Sequence, residues 1–141
     1  MSRRGPRERR DDVMAELPRP AEYFVKHLRA LGSLVRDAVM RARARGAEMA
    51  GAARESAADT IYGIDAEIEP LLIHFFERLS RKVPVVLIAE GLHDAAGREG
   101  ERRFGGSGEA VRIIVDPIDG TRGLMYDKRP GWILSGVALQ R

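Results

Sequence analysis

The sequence predicts an α/β fold in which two N-terminal helices pack against a sheet, and three observations carry that reading. Apolar residues recur at steps of three and four over about 21–45 and again after Asp65, the period of helices with one buried face. Short apolar runs follow at Val83–Ala89, Val111–Val115 and Trp132–Leu139, with the lengths and β-branched content of buried strands. Two of these runs end in carboxylates, at Glu90 and at Asp116, and open α/β sheets place their ligand sites at the C-terminal ends of strands.

Length and composition set the bounds. A chain of 141 residues, 44% of them hydrophobic, builds one modest core, so a single domain is expected over 21–141. The absence of cysteine excludes a disulfide framework and a thiolate metal site, leaving oxygen or histidine to hold any metal. No apolar run approaches the roughly 18 residues of a membrane span, and no hydrophobic signal segment follows the arginine-rich start. A cytoplasmic protein with no membrane partner is expected. The net charge of +3 sits largely in residues 1–20, where six arginines face Glu8, Asp11, Asp12 and Glu16. Without interleaved aromatics, this stretch reads as a basic, disordered tail rather than a nucleic-acid-binding arm.

In the first helix, Phe24, Leu28, Leu31, Val35, Ala38 and Ala42 form one face. Arg41, Arg43 and Arg45 suit the negative end of its dipole, and Gly46 is the expected stop. The alanine- and glycine-rich residues 46–58 are compatible with either a longer helix or a loop. The second helix is expected to follow Asp65 as N-cap, with Ile68, Leu71, Leu72, Phe75 and Leu79 inward, and Pro70 implies either an irregular first turn or a later start. His74, beside that face and without a second ligand at metal spacing, has no expected catalytic role. The glycine- and charge-rich stretch Leu92–Ala110 reads as a mobile loop or an irregular hairpin, and Trp132 as a core residue of the last strand.

The stretch Val111 to Thr121 is the most informative. Pro117 and Gly120 are expected to turn the chain directly after the strand, so that Asp116 and Asp119 converge on one side. Two carboxylates held close repel each other, and the arrangement is favourable mainly with a cation between them. An ordinary surface turn is the competing reading, since Asp, Pro and Gly are common turn residues.

Asp65, Glu90, Asp116 and Asp119 are separated by 25, 26 and 3 residues. With the block Asp116-Pro117-Ile118-Asp119-Gly120-Thr121 after an apolar strand, and Ile88-Ala89-Glu90 upstream, residues 21–141 resemble the inositol monophosphatase family of magnesium-dependent, lithium-sensitive phosphatases. The resemblance implies a layered helix–sheet sandwich of the inositol monophosphatase/fructose-1,6-bisphosphatase type, of which this is the N-terminal portion, with two helices on a mostly antiparallel sheet. It implies magnesium (Mg2+) as cofactor and a small phosphorylated substrate, an inositol phosphate or a related sugar or nucleotide phosphate. Glu90, Asp116 and the backbone carbonyl of Ile118 would hold one metal, and Asp116 and Asp119 a second. Thr121 and Asp65 would orient and deprotonate the attacking water, with Glu90 as acidic partner, and the Gly120 and Thr121 N–H groups would receive the phosphate. Gly91 stands where the family carries a second acidic residue, Arg122-Gly123 where it usually has threonine-asparagine, and Arg54 where relatives often carry lysine. Family members are longer, so full activity is expected to need a C-terminal half. Exposed strand edges would let the chain associate with itself, as a homodimer, or with a partner. The alternative is a non-catalytic module that binds metal or phosphate.

Overall fold

The structure, a computed structural model, describes residues 17–50, 57–93, 99–120, 124 and 130–139. Residues 1–16, the bulk of the expected tail, lie outside it, and Leu17 packs against the core. The elements are α1 (Ala21–Ala50), α2 (Ala57–Ser80), β1 (Val85–His93), β2 (Glu99–Phe104), β3 (Val111–Asp119) and β4 (Trp132–Leu139). The architecture is α/β, with two helices packed on a four-stranded mixed sheet of order β2-β1-β3-β4. β1 pairs antiparallel with β2 and parallel with β3, and β3 pairs antiparallel with β4. No helix among the described residues is long and apolar enough to cross a membrane.

Both helices exceed their expected bounds. α1 continues through Gly46 to Ala50, because one glycine costs only about 1 kcal/mol and good helix formers follow it. Arg41, Arg43 and Arg45 therefore lie within the helix, and no basic residue occupies its last turn. Arg45 instead pairs with Glu67, tying α1 to α2. α2 begins at Ala57, so Asp65 lies more than two turns inside it and is not its N-cap. Pro70 is correspondingly interior to the helix, and its missing N–H leaves the carbonyl four residues earlier without that donor. The penalty of about 3 kcal/mol is offset by the buried seam of Ile64, Ile68, Leu72, Phe76 and Leu79, since each large apolar side chain buried contributes about 1.5–3 kcal/mol.

The core lies between the helices and one face of the sheet. Val85, Leu87 and Ala89 of β1 and Val111, Ile113 and Val115 of β3 alternate onto that face and meet Phe24, Leu31 and Val35 of α1 and the α2 seam. The stretch 92–110 contains an irregular hairpin: β2 returns alongside β1, with a break in register between Ile88 and His93. Gly105, where the chain leaves β2, has φ of 87°. A Cβ there would come 3.1 Å from the Pro84 Cα and 3.3 Å from the Ser80 carbonyl oxygen. Left-handed backbone costs a residue with a Cβ about 1–2 kcal/mol, and the contact with backbone atoms adds to it. Gly105→Ala is expected to lower unfolding free energy by at least that amount in urea titration. Gly106→Ala, with nothing within 4 Å of its Cβ position, is expected to change it little.

Candidate metal and phosphate site

β3 does not turn after Val115. The strand runs on through Asp119, and Gly120, with φ of 84°, makes the turn. Asp116 pairs with Leu134 and Asp119 with Trp132, so three steps along β3 match two along β4. The extra residue is a β-bulge, and bulges are where an interior strand tolerates proline. Pro117 sits in this bulge, beyond Ile114, the last β3 residue paired with β1. Its missing N–H therefore breaks no ladder bond to β1.

Local hydrogen bonding shapes the block. The Ile118 N–H donates to Asp116 Oδ1 at 3.3 Å, the short side-chain-to-backbone loop by which aspartate substitutes for a turn. Asp116 and Ile118 are half-buried and Asp119 is exposed. Ile118 also packs against the core, which anchors the bulge to the body of the domain. Beyond Gly120, the Leu124 N–H donates to the Gly120 carbonyl at 3.1 Å, the spacing of an α-helical turn. Thr121 lies outside the described residues.

Glu90 is not the last residue of its strand, as β1 extends to His93. Ile88 pairs with Ile114 in parallel register, and Glu90 and Asp116 are each two residues further along their strands. Glu90 therefore lies past the segment of β1 that pairs with β3, in the stretch between Ile88 and His93 where the register of β1 is irregular. Asp65 is held on α2. The side chains of Asp65 and Glu90 lie outside the described residues, so the structure assigns these two a backbone position only. Among the described residues, no three His, Cys, Asp or Glu side chains form a group that could hold a metal ion.

The donors in the block are chemically uniform. Asp116 and Asp119 offer carboxylate oxygens and Ile118 a backbone carbonyl, with neither thiol nor imidazole among them. Such an all-oxygen set suits hard divalent cations such as magnesium and calcium and disfavours softer metals. The residues described therefore fit the expected ion.

A groove of about 520 Å³ between α1 and α2 escaped the sequence reading. Tyr23, His27, Leu34, Phe75, Arg78 and Lys82 are among its lining residues, which include no carboxylate, so it offers nothing to a hard cation. His74, also in its wall, is exposed. Most of these residues lie outside the apolar seams of the two helices, Leu79 of the α2 seam being an exception, and only the packing of the two helices creates the groove. No protein-family model matches the chain, and a comparison with curated proteins finds no match.

Proposed function

We propose that the chain is the metal-binding N-terminal part of an inositol monophosphatase-like domain, of the inositol monophosphatase/fructose-1,6-bisphosphatase fold type. In this reading it acts in the cytoplasm on a small phosphate monoester. The observation that supports the proposal is the parallel pairing of β1 with β3, which makes the strands that carry Glu90 and Asp116 neighbours in the sheet, with a bulge between Asp116 and Asp119. Acidic residues drawn together from separate parts of a chain repel without a cation, and an all-oxygen donor set selects magnesium-like ions.

Glu90, Asp116 and the Ile118 carbonyl would hold one magnesium, and Asp116 and Asp119 a second. When bound, magnesium makes water a stronger acid and offsets phosphate charge. Asp116 is held by its bond from the Ile118 N–H, which fixes one carboxylate oxygen relative to the Ile118 backbone. Gly120, left-handed and without a Cβ, lets a phosphate approach the backbone closely, and the N–H groups of Gly120 and Thr121 would receive it at the start of the turn closed by Leu124. In the hydrolysis a water oxygen bonds to phosphorus and the ester P–O bond breaks, with the leaving alcohol taking a proton. Thr121 would orient that water and pass its proton to Asp65, with Glu90 as the acidic partner.

Magnesium-dependent release of inorganic phosphate from inositol phosphates tests the reading. Asp116→Asn is expected to lower the rate by about 100-fold, the upper end of what losing even an indirect metal contact costs. Equal rates for variant and wild type refute the role of Asp116. The exposure of β4 favours a second reading, a metal- or phosphate-binding module without turnover. Titration calorimetry separates the two: magnesium binding with no phosphate release supports the module, and turnover by the purified chain excludes it.

A further inference from the structure

The groove between α1 and α2 joins an apolar lining to charge of one sign. Residues 51–56, which connect the two helices, reach at most about 20 Å, whereas α1 is about 45 Å long, so the helices run antiparallel. The start of α1 therefore lies beside the end of α2. Tyr23 and His27 share one end of the groove with Arg78 and Lys82, while Leu34 shares the other with Leu71 and Phe75. From Tyr23 to Leu34 the wall on α1 runs for about 16 Å.

The aromatic parts of the wall are fixed in place. His27 and Tyr23 have ring centroids 4.2 Å apart, and the His27 ring is held by a 2.7 Å hydrogen bond between Nδ1 and the Tyr23 carbonyl oxygen. Phe24 meets Tyr23 edge-on at 5.4 Å, and Phe76 meets Phe75 edge-on at 5.3 Å. Phe24 and Phe76 are both buried in the core, so the rings in the wall rest on side chains that cannot withdraw. At the apolar end Leu34 is 47% exposed and its surface is available for burial. The charge around the groove is as uneven as its lining. Residues 19–34 and 71–82 carry six lysines and arginines against Glu22 and Glu77, and neither glutamate lines the groove. Among the described residues, Arg78 and Lys82 form no ion pair.

We infer that this groove is a binding site for a small organic anion with an elongated apolar body, of which a medium-chain carboxylate is the simplest form. The alkyl chain lies along Leu34, Leu71 and Phe75, where it removes apolar surface from water. Its carboxylate reaches Arg78 and Lys82, which supply charge-assisted hydrogen bonds. The volume of about 520 Å³ is that of a small-molecule site. Each part of the groove selects against a different competitor. A bare inorganic anion leaves the apolar end unfilled, a neutral amphiphile leaves the two cations uncompensated, and a cationic one meets charge of its own sign.

Decanoate is the probe, with decyltrimethylammonium as the control of equal chain length and opposite charge. The chain has three histidines, and they report where the probe binds. His27 and His74 line the groove, and His93 ends β1, eight residues beyond the start of that strand at Val85. In proton NMR titrations, decanoate is expected to shift the ring resonances of His27 and His74 along one saturating curve and to leave those of His93 in place. Decyltrimethylammonium is expected to bind at least about 10-fold more weakly. Leu34→Glu and Lys82→Glu, both at exposed positions, are each expected to weaken decanoate binding by about 10-fold with an unchanged urea midpoint. The absence of shifts at His27 and His74 overturns the inference, whether the groove stays empty or is already filled by another segment of the chain. Equal affinity for the two probes, a matching shift at His93, or wild-type affinity in both variants overturns it as well.

Discussion

Replacing Phe76 with alanine is expected to lower the unfolding free energy by about 3–5 kcal/mol, the range for truncating a fully buried aromatic. Phe76 is 0% exposed, the most enclosed position of the α2 seam. It stands where the helix layer meets the β2 end of the sheet, with its ring centroid 6.1 Å from that of Phe104 and 5.3 Å from that of Phe75. Truncation therefore removes apolar area from the core and leaves a cavity bounded by elements that cannot collapse independently. A single domain of this size has a total stability of about 5–15 kcal/mol, so this one change threatens the folded state. Phe75→Ala provides the internal comparison. Phe75 is only half-buried, and its truncation is expected to cost less than half as much. Urea titration of both variants measures the difference, and equal losses would show that the seam runs elsewhere.

That contrast also shows how far periodicity reaches. Apolar spacing located both helices and most of the α1 core, and Phe24, Leu31, Val35, Ala38 and Ala42 are all buried. On α2 the same rule favoured Phe75, whereas the buried seam steps from Leu72 to Phe76. Two adjacent phenylalanines satisfy a helical period about equally well, and the packing of the helix against β2 decides between them. Helix ends were less legible because their punctuation was overridden: Gly46 did not stop α1, and Asp65 with Pro70 did not start α2. In both places, the residues that signalled a boundary cost less than continuing the helix gains.

The sheet taught a different lesson about what a linear pattern contains. The apolar runs identified strands β1, β3 and β4, but composition does not specify which face of a strand is covered. Trp132, read as core, is 62% exposed because, among the described residues, β4 lies at an edge and no helix covers the face it shares with Ile114 and Leu134. β2 has almost no apolar residue and was legible only as one half of an irregular hairpin. Its strand character comes from pairing with β1, not from its own sequence. The candidate site shows the same division. Asp116, Asp119 and Gly120 were conspicuous as a local block, while the side-by-side placement of β1 and β3 is a property of parallel pairing, which arises only when the strands meet. The bulge at Pro117 was hidden for the same reason, because a proline after an apolar run signals a turn unless a neighbouring strand holds the chain straight.

Magnesium is expected to stabilise the wild-type chain and to have little effect on Asp116→Asn. At a free concentration 100 times the dissociation constant, the gain for one site reaches about 2.7 kcal/mol. The sign follows from the charges. In the proposed site the carboxylates of residues 116 and 119 would oppose one another without a cation, and a bound divalent ion would convert that repulsion into attraction. Asparagine at 116 removes one negative charge but keeps an Oδ1 acceptor for the Ile118 N–H, so the local loop survives. The variant is therefore expected to be at least as stable as wild type in chelator and less stable than wild type in saturating magnesium. This reversal of order distinguishes a ligand from a structural residue. If Asp116 only supports the bulge, Asn preserves its contact and the two proteins respond to magnesium alike. Thermal unfolding at matched ionic strength, with sodium chloride replacing magnesium in the control, removes general screening from the comparison. Parallel shifts of the two proteins, or none in either, would exclude Asp116 as a metal ligand.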